Sequence, residues 1–355
     1  MTGLPFYQRR LSPATGIAIL VGLAIGGLFY VKWLPYYHKA LLASASHSIG
    51  RSILMGTAAQ APPPSLKAAF DYSLAYGKAI WQAMVLGLAL GAALQEFAPL
   101  AWIARRLGPS NWGSVATGGL LAIPGMMCTC CAAPVVIGLR RRHASAAAST
   151  AFWLGNTVLN PGTLVFMGFV LGWKWTGLRL GLGIPLVFGT GYLVTRLTPR
   201  GEDAALQAQL TRSVGEIAAA SPSITSWLTR FSKMFIGLVP EYLILVLILG
   251  AARAWIFPQA DPSIGNDLAW IALMSAAGLV FVIPTAGEVP IVQAMLALGV
   301  GAGPAAALMM TLAPISLPSL VMTGKVLPIR VLVLITLIVL TVGIAAGLLA
   351  VQLRL

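Results

Sequence analysis

Apolar runs interrupted by short polar stretches dominate the chain, and they predict membrane spans at 15–36, 78–98, 113–143, 146–173, 177–197, 232–252, 268–299, 303–324 and 329–350. Each run reaches the roughly 18 to 20 residues that cross a bilayer as a helix. Two of them carry helix breakers. The third holds Pro124, Gly125 and Pro134, and the seventh holds Pro284, Gly287 and Pro290. A proline inside a helix removes a hydrogen bond and crowds the preceding turn, so neither run reads as one continuous helix. Each is either one bent crossing or a re-entrant hairpin.

The arginines favour hairpins. If 113–143 turns back on itself, Arg105 and Arg106 before it and Arg140, Arg141 and Arg142 at its end all lie on one side. Cytoplasmic flanks are the ones enriched in Lys and Arg, so that side is expected to be the cytoplasm, with the N-terminus and its Arg9 and Arg10. The first run is read as a retained helix, because its nearest small-x-small site, Ala43 to Ala45, lies too far downstream for signal cleavage. The expected setting is the cell inner membrane. The segment 37–77, with Pro62, Pro63 and Pro64, reads as an interfacial connector on the outer side.

The halves resemble each other. Leu90-Gly91-Ala92-Ala93 and Pro99 recur as Leu249-Gly250-Ala251-Ala252 and Pro258, and Pro134, Val136, Ala146 and Gly168 recur as Pro290, Val292, Ala302 and Gly324. Three crossings separate equivalent points, and an odd number inverts the second copy. The expected fold is therefore an all-α polytopic membrane protein of two inverted repeats, each with a broken or re-entrant helical hairpin, plus an extra N-terminal transmembrane helix. The divisions are 1–77 for that helix and its connector, 78–198 for the first repeat, 199–231 for a cytoplasmic linker and 232–355 for the second repeat.

Composition agrees: 58% of the 355 residues are hydrophobic and 9% charged, against about a quarter charged in soluble domains. The net charge of +14 is read as topological anchoring rather than nucleic-acid binding, which leaves the lipid bilayer as the main partner. No G-x-x-x-x-G-K-[ST] loop occurs, since Gly77-Lys78 and Gly324-Lys325 are followed by Ala79 and Val326. The chain is expected to be neither an ATPase nor another enzyme, and to hold no cofactor.

Unwound backbone survives in hydrocarbon only where protein or a wet cavity surrounds it, so the two breaks locate a cavity. In the first, Cys128, Thr129, Cys130 and Cys131 precede Pro134, which is expected to open a helix and so to set the thiols just ahead of a positive helix end. All three cysteines of the chain fall here, which rules out a distributed disulfide framework. Cys128, Cys130 and Cys131 together offer soft sulfur ligands suited to arsenicals, mercury or copper(I). The competing reading treats them as small buried hydrophobes. In the second break Glu288 stands before Pro290, and a carboxylate inside a membrane marks a proton or ion site unless it caps a helix. Glu241 is a second proton-coupling candidate. Asn156, Thr157 and Asn160 before Pro161, and Ser316 before Pro318, either line the path or satisfy backbone groups freed by proline. Gly22/Gly26 and Gly87/Gly91 fit a weak G-x-x-x-G packing pattern.

These residues resemble the ArsP-type predicted permease family. The shared run is Cys128-Thr129-Cys130, Pro134, Gly138-Leu139-Arg140-Arg141, the small-residue helix Ala146 to Ala151 and Asn160-Pro161, with Glu288-Val289-Pro290 and Pro314 to Ser319 in the second half. Cys131 stands where glycine is usual and Thr129 where serine is. The resemblance implies a permease, and organoarsenical efflux is linked to some members. The leading expectation is a secondary permease that exports a thiophilic metal, metalloid or organometalloid. The alternatives are a membrane thiol-disulfide relay served by a small thiol-redox protein, and a permease for a sulfur compound. A homo-oligomer is left open.

Overall fold

The computed structural model describes residues 11–50, 63, 65–197, 222–256 and 264–355, and it is helical almost throughout. Pro62, Pro64 and most of the expected linker lie outside the described residues. Six described helices are long and apolar enough to cross a membrane. The remaining helices are shorter because several expected spans are built from half-length pieces.

The first helix, α1, runs over Pro13–Ser46, ten residues past the expected end at 36. Ser12 caps it by accepting from the Thr15 N–H, and a π-turn at Phe29–Trp33 carries the chain past Pro35 without a break. Helix α2, Leu66–Phe97, begins well before the expected 78, capped by Ser65. Its first turns are amphipathic: Ala68, Ala69, Tyr72 and Tyr76 are buried while Lys67 and Asp71 keep the average hydropathy low. The connector is accordingly shorter than 37–77. After a short α3, Leu100–Arg106, the first broken segment begins.

Helix α4, Trp112–Ala122, opens on a capping box between Asn111 and Ser114. It ends in a tight turn at Ile123–Gly125, with Met126 left-handed at φ 48°, and α5 then runs back over Thr129–Arg141. The Ser145 N–H donates to the Leu107 carbonyl at 2.7 Å, so the two ends of the segment meet. The segment is a hairpin. The second half repeats the arrangement with α10, Leu268–Val280, an extended stretch through Phe281, and α11, Glu288–Ala297. There the Gly301 N–H donates to the Ile264 carbonyl at 2.9 Å, and Gly301 stands to Ser145 as Pro290 stands to Pro134 in the sequence.

Each hairpin is followed by a broken crossing and a long return helix. These are α6 (Ala146–Val158), α7 (Pro161–Val170) and α8 (Trp173–Leu197) in the first half. Helix α9, Ile224–Ile256, joins the halves and begins inside the range expected to be linker. The second half closes with α12 (Ala302–Leu312), α13 (Leu317–Thr323) and α14 (Ile329–Gln352). The open ends of the two hairpins meet different partners. Arg140 Nε donates to the Val326 carbonyl at 3.2 Å. Gln293 Nε2 donates to the His47 carbonyl at 3.0 Å, and His47 Nδ1 meets the Phe169 carbonyl at 2.7 Å.

Glycines bring α2 against the cysteine helix. A Cβ on Gly87 would lie 2.1 Å from the Cys131 carbonyl oxygen, and one on Gly91 would lie 2.2 Å from that of Pro134. The Gly22/Gly26 pair meets nothing within 4 Å, so only the second pattern is a packing seam. Gly87→Ala should destabilise the protein by about 1–3 kcal/mol through overpacking, while Gly22→Ala should leave it unharmed. Thermal unfolding in micelles reads both, and an unchanged midpoint for Gly87→Ala would contradict the contact. In a background with the native cysteines replaced, reporters at Arg105→Cys and Arg141→Cys should label from the same face of sealed vesicles. Labelling from opposite faces would exclude the hairpin.

Candidate functional site at the meeting of the helix breaks

Helix α5 starts five residues before Pro134, so the thiols belong to its first turn rather than preceding it. Cys128 is the N-cap, extended at φ −75° and ψ 166°, and Cys131 is the third helical residue. That register folds the cap side chain back over the first turn, as in a capping box. Cys128 Sγ accordingly donates to Cys131 Sγ at 2.7 Å. Pro134 sits inside the helix and, lacking an N–H, leaves the Cys130 carbonyl without its helical donor.

Cys130 points elsewhere. Its sulfur lies 3.7 Å from Ser316 Oγ and 3.6 Å from Thr129 Oγ1, and those two hydroxyls are 3.3 Å apart. Ser316 also forms a capping box with Ser319 at the start of α13. The expected set of three converging sulfur ligands is therefore a pair, with the third thiol in the contact between the halves. Among the described residues no three His, Cys, Asp or Glu side chains gather as metal ligands.

Cys128 lines two cavities. One, of about 310 Å³, is walled by α1 and the second hairpin and includes Lys32, Tyr36, Gln82, Thr285 and Pro290. The other, of about 20 Å³, lies between the breaks and includes Thr129, Thr157, Thr163, Thr285 and Glu288; it has room for about one water.

Glu288 is the first residue of α11, and Gly287 is the cap. Its carboxylate accepts from Arg179 Nη1 at 2.8 Å, with 1% and 3% of the two side chains exposed. Arg179 Nε donates to the Val158 carbonyl at 3.2 Å and Nη2 to that of Thr157 at 2.9 Å. Thr157 lies four residues before Pro161, which has no N–H to return, so the guanidinium fills the place of a missing helical donor. Arg179 was not among the sequence candidates. Its place within the apolar run 177–197, whose other charge, Arg196, stands at the run's end, was the available signal.

Asn160 caps α7, its Oδ1 accepting from the Thr163 N–H at 3.2 Å. Asn156 Nδ2 donates to the Phe152 carbonyl at 2.9 Å. Asn156 Oδ1 and Asn160 Nδ2 are buried without partners among the described residues. Glu241 is not brought to the cysteines: it is about 41% exposed, and its side chain pairs with Lys325. Lys32, also missed in the sequence, is 5% exposed and faces the larger cavity.

A multi-pass helical bundle whose broken helices meet around small buried cavities is the architecture of a membrane transporter. The chain belongs to a family of predicted permeases of the ArsP type, whose model matches residues 65–351. It is 45% identical over 330 residues to UPF0718 protein YraQ of Escherichia coli K12, covering 93% of each chain. It is 33% identical over 106 residues to UPF0718 protein MJ0584 of Methanocaldococcus jannaschii, covering 29% of each. No solved structure matches it.

Glu288→Gln should strand a buried guanidinium and destabilise the protein by about 3–5 kcal/mol, whereas Arg179→Met combined with Glu288→Leu should cost less than the sum of the two single changes while still leaving the Thr157 and Val158 carbonyls without their donor. Unfolding midpoints of the single and double variants measure the coupling. Additive losses in the double variant would mean that the pair does not act as one unit.

Proposed function

We propose that this chain is a secondary permease for a thiophilic solute, a soft metal, metalloid or organometalloid, and that it exports the solute from the cytoplasm across the inner membrane. The observation that carries this reading is the Cys128–Cys131 thiol pair, 2.7 Å apart at a helix start, with Cys128 bordering two cavities. Two adjacent soft donors hold a soft centre through two bonds, and the small cavities around them strip its water. Binding is by ligand exchange: each new bond to sulfur replaces one carrier ligand, which leaves with the thiol proton. Release on the other side reverses the exchange.

The sequence has no nucleotide-binding loop, which leaves an ion gradient or a separate subunit as the energy source, and the buried Glu288 favours the gradient. Glu288 accepts the coupling proton when its bridge to Arg179 opens in the alternate state. The two halves act as inverted repeats that rock about the Thr129–Ser316 contact. The N-terminus is cytoplasmic.

A second reading, a thiol-disulfide relay, draws on the same pair. Cys128 and Cys131 stand at C-x-x-C spacing on a helix N-terminus, the setting of reactive dithiols. Transport separates the two readings. In proteoliposomes, phenylarsonous acid or copper(I) should move with the wild-type protein, and Cys128→Ser or Cys131→Ser should slow it by about tenfold or more by removing a soft ligand. Cys130→Ser should have a smaller effect. Electron transfer between thiol pools without net solute flux would favour the relay. Wild-type flux in the Cys128→Ser, Cys131→Ser double variant would exclude the thiol site.

A further inference from the structure

We infer that the cavity beside Cys128 binds a small anion with Lys32 as its counter-charge, so the solute carries a negative group as well as a thiophilic atom. This rests on the permease reading and narrows its substrate class. Lys32 is 5% exposed, and its ammonium touches only neutral oxygens: Thr285 Oγ1 at 3.1 Å and Tyr36 Oη at 3.5 Å. The Tyr36 ring adds a cation–π contact at 5.3 Å. No carboxylate lies within salt-bridge distance of it among the described residues. Glu288 is held by Arg179, and the other two ion pairs, Glu96 with Arg230 and Glu241 with Lys325, do not involve it. A buried charge without a counter-charge is costly, and proteins retain such a group where a ligand completes it.

The surroundings also favour an anion. Lys32 lies in the π-turn at Phe29–Trp33, an irregularity common at functional positions. Its cavity of about 310 Å³ holds a solute of several heavy atoms. Helices α5 and α11 both begin at the wall of this cavity or of its small neighbour, directing positive ends inward. With Arg179 and Glu288 cancelling, Lys32 places a positive charge at the cavity that no described carboxylate balances, and Lys39 adds a second cation to its lining. A sulfur anion, or an organometalloid bearing an acidic group, satisfies both the ammonium and the thiol pair.

The test uses the full-length protein in nanodiscs with three probes: thiosulfate as a soft anion, sulfate as a hard anion and phenylarsonous acid as a neutral thiophile. Thiosulfate should bind the wild type. Lys32→Gln should weaken that binding by at least about tenfold and leave phenylarsonous acid unaffected, while Lys32→Arg should retain it. Without ligand, Lys32→Gln should unfold at a higher temperature than the wild type, since a buried unbalanced charge has been removed. Equal thiosulfate affinity in the wild type and Lys32→Gln overturns the inference, as does failure of the wild type to bind either anion. Cysteine-dependent arsenical binding with no anion binding removes the anion site and keeps the thiol reading. Lys32-dependent anion binding that survives Cys128→Ser does the reverse.

Discussion

An unpaired backbone N–H or C=O in hydrocarbon costs several kcal/mol, and this bundle brings four helix breaks to its middle. Everything at the centre answers that cost. Arg179 donates to the Thr157 and Val158 carbonyls, Trp153 Nε1 donates to the Thr129 carbonyl at 3.1 Å, and Asn160 and Ser316 cap the helices that restart after each break. Each of these bonds stays within one half; the links across are Arg179 to Glu288 and Thr129 to Ser316. The small cavity lies where the breaks of the two halves meet.

The same requirement explains why the buried ions are there. Arg179 would be costly alone in this interior, and Glu288 compensates it from the other half of the chain. The bridge joins α8 to the start of α11, so separating the halves at this point exposes both charges. Glycine packing adds a further constraint: Gly87 and Gly91 let α2 approach the backbone of α5 where Pro134 has removed a helical bond. The thiol pair is thus fixed on one side by close backbone contact at Cys131, and Cys128 is left facing the cavities on the other.

Much of this was legible in the sequence because apolar length and proline position are local signals. The two broken segments, the polar residues at the second breaks and the membrane setting follow from them. The cap geometry was not legible. Pro134 marked a helix start by the usual preference for the first turn, yet close packing on Gly91 supports α5 across that proline, and the helix begins at Thr129. The pairing of Cys128 with Cys131 depends on that start. Arg179 and Lys32 were overlooked because an isolated cation in an apolar run resembles a flank anchor until its depth is known. The start of α2 was misjudged for a related reason: its buried tyrosines alternate with charges, and an averaged hydropathy cannot see one face of a helix.

The family-wide match begins at residue 65, and Lys32 lies before it, on the helix that walls the larger cavity. On the proposed reading the two kinds of recognition sit on different elements, Lys32 on α1 and the thiols at the start of α5. A change of charge at residue 32 would then alter the charge of the cargo while the hairpins, their closing bonds and the thiol pair stayed untouched.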